Sequence, residues 1–237
     1  SLSLSKKYTN DTWLKEFKNV LLSEQNKFNI FLGGGDIIKF SKLIVTITVI
    51  GFAKSKIVLR KGSLANDDIY VTGNIGDPFL GLCVIKKKQS FGSFNQYFRK
   101  SYYEPNLAFK ISPHLYKFAN ASIDISDGII QDLQHVCKAS KCGAIIDLNI
   151  LPLSIQTNKI LLSKKAKLKN IFSNGDDYQI LFTAKHEFRY LIDKLSKKLR
   201  IKVSRIGLTT NDKNIYFKHN SKKYKISATN MGYTHTF

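Results

Sequence analysis

Acidic residues are scarce in this chain. Asp and Glu number 17 against 38 Lys and Arg over 237 residues, a formal net charge of +21. Arginine is rare too, confined to Arg60, Arg99, Arg189, Arg200 and Arg205. Nucleic-acid readers lean on arginine for bidentate contacts. Here the positive charge is mostly lysine, dispersed along the chain with short clusters at 86–88 and 164–169. It reads more readily as a solvated surface than as a nucleic-acid face, and a basic nucleic-acid-binding protein is the competing reading. The three cysteines, Cys83, Cys137 and Cys142, lack partners at zinc-site spacing, which points to a reduced, cytoplasmic protein. Apolar runs such as 43–53 are too short to cross a bilayer, and no signal-peptide pattern opens the chain, so no membrane partner is expected. Apolar residues themselves are not lacking. At 43% they suffice for a core and argue against disorder.

Asn10-Asp11-Thr12 offers N-cap chemistry, and Trp13, Phe17, Val20 and Leu21 follow at helical spacing. The run 31–36 reads as a strand ending in a glycine turn. Val45, Ile47 and Val49 alternate with threonines, as in a half-buried strand. Further strands are expected over 69–72, 121–125, 144–148, 180–183 and 201–206. Helices are expected from Phe79, over 129–137 and over 188–199, and a polar hairpin over 215–226. The stretch 90–113 reads as an irregular connection with one short helix. Alternating elements make the chain mixed α and β.

The few carboxylates gather in glycine-containing turns at strand ends: Asp36, Asp77, Asp124, Asp127, Asp176 and Asp177. In layered α/β proteins such turns face ligand crevices. Ile123-Asp124-Ile125-Ser126-Asp127-Gly128 is the sharpest case. The isoleucines suggest a buried strand, and two carboxylates three residues apart at a strand–helix junction can hold a hard cation such as Mg2+. The serine hydroxyl and the N–H groups of the helix end can take a phosphate. The alternative is an N-cap and a turn former. Gly73-Asn74-Ile75-Gly76-Asp77 resembles a phosphate-cradling turn, without the Gly-Lys-Ser/Thr of a P-loop. Gly34-Gly35-Asp36 is a turn or a metal ligand. Arg60 is a phosphate clamp or a surface residue. Gly175-Asp176-Asp177-Tyr178 is a substrate contact or an Asx-type turn. The histidines, His135 among them, form no visible triad or zinc cluster and are assigned no chemistry.

Taken together these segments resemble thiamine-monophosphate kinases, of the family that includes aminoimidazole ribonucleotide synthetase. The run from Ala121 to His135 is similar to the signature A-x-I-D-I-S-D-G-L-x-x-D-L-x-H, and Gly175 to Thr183 to G-E-D-Y-E-L-L-F-T. Gly34-Gly35-Asp36, the stretch from Arg60 to Asp77, and Gly232-Tyr233-Thr234-His235 match in family order. The resemblance implies an α+β, synthetase-like two-domain fold, with 1–56 the remainder of an N-terminal domain and 57–237 the C-terminal domain. It implies Mg2+-dependent transfer of the ATP γ-phosphoryl group to thiamine phosphate by a cytoplasmic homodimer. Asp36, Asp124 and Asp127 would hold Mg2+, Arg60 and Ser126 would contact ATP, and Asp176 and Tyr233 the substrate. The chain opens at a point after the family's G-D-D-A-A-like and T-T-D segments. Ile37 and Ile38 stand where threonines are frequent, and Asp176 and Gln179 replace glutamates. These departures imply the alternative of a binding-only remnant that holds nucleotide without transferring phosphate.

Overall fold

The computed structural model describes residues 1–53, 55–220 and 222–225. The chain divides into two units, one within Ser1–Ala53 and one within Lys54–Phe237.

The first unit contains β1 (Leu2–Leu4), α1 (Asp11–Phe28), β2 (Ile37–Lys39) and β3 (Ile44–Val45). β1 is central, parallel to β2 and antiparallel to β3. The Asn10 side chain caps α1 by accepting the Trp13 N–H at 2.9 Å, and Asn29 ends it in the left-handed conformation. Trp13 stacks on Phe17 at 5.1 Å, yet no residue of α1 is buried. Two expectations are corrected here. The strand expected over 31–36 forms instead at Ile37–Lys39, because pairing starts where the Leu2 N–H meets the Asp36 carbonyl, after the glycines. The alternating run 45–49 pairs only through Ile44 and Val45. The Thr46 N–H bonds the Ser1 carbonyl at 2.9 Å, and Val49 is 77% exposed.

The second unit holds β4 (Asp68–Thr72), α2 (Asp77–Ile85), α3 (Asn95–Tyr103), β5 (Ala119–Ile125), α4 (Ile129–Ser140) and β6 (Gly143–Asp147). It continues with α5 (Ile155–Leu162), α6 (Leu168–Ser173), β7 (Gln179–Ala184), α7 (Arg189–Leu199), β8 (Val203–Thr210), β9 (Ile215–His219) and β10 (Lys222–Lys225). The sheet order is β10-β9-β6-β8-β4-β7-β5, antiparallel except between β6 and β9. Period-2 alternation on β4 divides its side chains between two cores. Ile69 and Val71 pack with Ile129, Leu133 and Val136 of α4. Tyr70 stacks on Phe182 at 5.0 Å and packs with Ile192 of α7. Helices therefore cover both faces, and the mixed α and β class is as expected.

Asp68, 2% exposed, anchors the start of the central strand. It accepts from Arg189 Nε at 2.6 Å and from Arg205 at 3.1 Å. Burial alone would raise its carboxyl, but the two guanidiniums outweigh that and hold it below its ordinary 3.8. A depressed folded pKa gives stability that is present above 3.8 and lost as pH falls through the lower folded value. Arg189→Met is therefore expected to cost about 2 kcal/mol at pH 7. In urea titrations the gap from wild type should narrow below that carboxylate range; a gap constant with pH would detach the effect from Asp68.

Candidate functional site

Two turns meet at one end of the sheet. Ser126-Asp127-Gly128 links β5 to α4, and Gly175-Asp176-Asp177-Tyr178 leads into β7. Because β5 and β7 are antiparallel neighbours, the end of one adjoins the start of the other. The Tyr178 N–H bonds the Ile125 carbonyl at 2.8 Å, and the Asp176 N–H bonds the Ser126 carbonyl at 2.9 Å. Gly175 lies so close to Ser126 and Asp127 that a Cβ there would overlap their backbone. Gly128 has φ +117°, with the Asn174 backbone 3.1 Å from where a Cβ would lie.

Ser126, Asp127 and Asp176 line one cavity of about 390 Å³, together with Lys86, Tyr102 and Tyr178. The structure thus brings together three residues read from the sequence. Asp124, one pairing step back on β5, is exposed and forms no hydrogen bond or ion pair among the described residues. The expected buried setting is corrected: β5 is an edge strand, and only one face, with buried Ala121 and Ile125 and half-buried Ile123, turns inward while Asp124 faces out. Arg60 is exposed on a segment that runs beside β5, where the Leu59 carbonyl accepts the Ser122 N–H at 2.9 Å. Asp36, in the first unit, precedes β2, and its Oδ1 accepts the Ile37 N–H at 2.9 Å. Tyr233 and the rest of the 232–235 motif lie outside the described residues. A larger cavity of about 710 Å³ is lined by Gly73, Asn74 and Asp77 of the candidate phosphate turn and by Asp177, with Lys100 and Lys202, but by none of Asp36, Arg60, Asp124, Ser126, Asp127 and Asp176.

Part of the main-chain donor set in both candidate phosphate turns is already committed. In the turn 73–77 three donors are committed: Gly73 N–H to the Lys202 carbonyl at 2.8 Å, Ile75 N–H to Pro152 at 2.8 Å, and Gly76 N–H to Asp177 Oδ1 at 2.7 Å. At the start of α4, the N–H groups of Ser126, Asp127 and Gly128 all point to Asp132 Oδ2, at 3.1, 3.1 and 3.2 Å. Asp132 was legible in the signature itself, but its turn-holding role needed coordinates. His135, assigned no chemistry above, lies with Asp127 and Asp132 so that one donor atom of each falls within 4.8 Å of the others.

The site has an excess of negative charge. Burial pushes the Asp176 carboxyl up, with a further push from Asp127, against the Tyr178 hydroxyl and Lys86. Burial likewise raises Asp132 to about 6, against its backbone hydrogen bonds, with Asp127 and Asp124 adding to the rise. Behind the cavity Asp177 is fully enclosed, and its Oδ2 has no hydrogen-bond partner among the described residues. Burial raises its carboxyl well above the ordinary value, against the Gly76 N–H. A raised folded pKa means stability declines as pH climbs from 3.8 towards that value, because the unfolded chain ionises first. Asp177→Asn is expected to add about 1–3 kcal/mol at pH 8 and nothing at pH 3. Equal effects at both pH values in chemical denaturation would contradict a neutral Asp177.

No protein-family model matches the chain. The thiamine-monophosphate kinase of Buchnera aphidicola subsp. Schizaphis graminum is 34% identical over 241 residues, covering 99% of this chain and 73% of that protein. The enzyme of the same name from Buchnera aphidicola subsp. Acyrthosiphon pisum is 34% identical over 216 residues, covering 89% of this chain and 65% of that protein. The chain thus spans roughly two thirds to three quarters of the length of these relatives. A solved structure, AaThiL complexed with AMPPCP and TMP, superposes with a TM-score of 0.79 at 21% identity, over 99% of this chain and 72% of that one. At that identity the match shows the fold.

Proposed function

The chain belongs to the thiamine-monophosphate kinase family, and from that membership we propose that it serves Mg2+-dependent transfer of the ATP γ-phosphoryl group to thiamine phosphate, yielding thiamine diphosphate. The observation that carries this reading is the convergence of Ser126, Asp127 and Asp176 on one cavity where two carboxylates face a single lysine, Lys86, in a chain of net charge +21. Such a cluster of carboxylate oxygens suits a hard divalent cation. Asp124 and Asp127 would hold Mg2+, and Asp36 of the first unit would serve as a Mg2+ ligand in its own right. When bound, the ion supplies neutralisation of phosphate charge. Ser126 would donate to a nucleotide oxygen, and Arg60, free of ion pairs among the described residues, would reach a second. Asp176 and Tyr233 would contact thiamine phosphate, whose cationic ring suits a carboxylate and an aromatic face. Transfer between two anions depends on placement and charge more than on covalent chemistry by the protein.

Residues 1–56 would be the remainder of the N-terminal domain and 57–237 the C-terminal domain. A cytoplasmic homodimer would complete the assembly. No described helix is long and apolar enough to cross a membrane. Sedimentation velocity should return twice the chain mass, and a monomer at all concentrations would remove the dimer. The kinase test is formation of thiamine diphosphate from ATP, Mg2+ and thiamine phosphate, abolished by EDTA. Nucleotide binding without product would favour the binding-only reading, to which Ile37 and Ile38 beside Asp36 lend support. Neither binding nor product would sink both.

A further inference from the structure

Asp132 lies in the first turn of α4, 2% exposed, and one of its oxygens collects three consecutive main-chain N–H groups. Successive amides curling around a point form a concavity that binds anions. In this chain the concavity already contains an anion, supplied by the helix it opens. The next residue back, Gln131, donates from Nε2 to Asp127 Oδ2 at 3.1 Å. One turn of α4 therefore fixes both the backbone of the Ser126–Gly128 loop and the carboxylate of Asp127.

We propose that Asp132 is a positioning residue that acts as the resident anion of this loop. It sets the orientation of Ser126 and Asp127 and denies the three amides to nucleotide phosphate. Phosphate then meets side chains and divalent cation in place of these three amides. The inference rests on the Mg-ATP reading of the site given above. A role for Asp132 as a cation ligand beside Asp127 and His135 would fall to its other oxygen, Oδ1, because Oδ2 is held by the three amides. Such a role would not create pyrophosphate binding in EDTA when Asp132 is replaced.

The test uses Asp132→Ala and Asp132→Asn in the full chain, the asparagine keeping the size and one acceptor should the alanine variant not fold. Amide exchange of residues 126–128 is followed by NMR, alongside affinity for Mg-ATP and, in EDTA, for inorganic pyrophosphate. Wild type should show protected amides, Mg-ATP binding and no pyrophosphate binding. In the variants protection should fall, Mg-ATP affinity should drop at least about 10-fold, and pyrophosphate binding in EDTA should appear. A merely structural contact would not create that last signal. Released amides with Mg-ATP affinity within about twofold of wild type, or no gain of pyrophosphate binding, overturn the proposal alone. A wild type that binds no Mg-ATP overturns the underlying reading and this proposal with it.

Discussion

Gly175→Ala is expected to abolish Mg-ATP binding and to destabilise the second unit by about 3 kcal/mol, the upper end of typical overpacking costs. The added Cβ would have to occupy space held by the Ser126 carbonyl and the Asp127 backbone. Neither can yield like a flexible side chain. Ser126 is tied forward to Asp132, and its carbonyl is the acceptor for Asp176. Relief therefore requires the two acidic turns to separate, which breaks the Asp176–Ser126 and Tyr178–Ile125 hydrogen bonds and opens the cavity. Calorimetric titration with Mg-ATP and urea denaturation measure the two effects. An alanine variant with wild-type affinity and stability would mean that the turns are not held at the separation seen here.

The second large effect concerns charge. Asp124→Asn and Asp127→Asn are each expected to weaken Mg-ATP binding by about 10- to 100-fold, the scale of one charge-assisted interaction. The double variant should show no measurable binding. Stability should change little for Asp124, which is exposed and has no hydrogen bond or ion pair among the described residues. For Asp127 the loss is confined to the contact from Gln131, which asparagine can still accept. Titrating Mg2+ at fixed ATP separates cation from nucleotide affinity. Unchanged affinity in both single variants would reduce these aspartates to turn formers.

Much of the second unit was legible because its signals were local. Ile129, Leu133 and Val136 repeat at helical spacing and bury one face of α4. The acidic turns were flagged by glycine and aspartate at the ends of apolar runs, and two of them meet. Long-range placement was not legible. The isoleucines around Asp124 suggested a buried strand, because nothing in the sequence marks β5 as the sheet edge. Helix α5 carried a readable signal that went unused: Ser154 caps it by accepting the Thr157 N–H at 3.0 Å. Helix α6, six residues long after a lysine-rich stretch and without a side-chain cap, carried almost none. In the first unit, periodicity overestimated the strands. Alternation states which face is apolar, whereas a strand also needs a neighbour to bond, and among the described residues 47–49 pairs with none.

The placement of β4 bears on the order in which this protein is made. Its neighbours in the sheet, β7 and β8, come far later in the chain, and its Asp68 meets Arg189 across 121 residues. A ribosome must therefore release almost the whole second unit before the central strand has anything to pair with. Closure of such distant pairs is slow, because chain entropy is lost before contacts repay it. Meanwhile the apolar strand Ile69-Tyr70-Val71 stays available to wrong partners, so yield of folded protein should depend on chaperones and on synthesis rate more than on final stability.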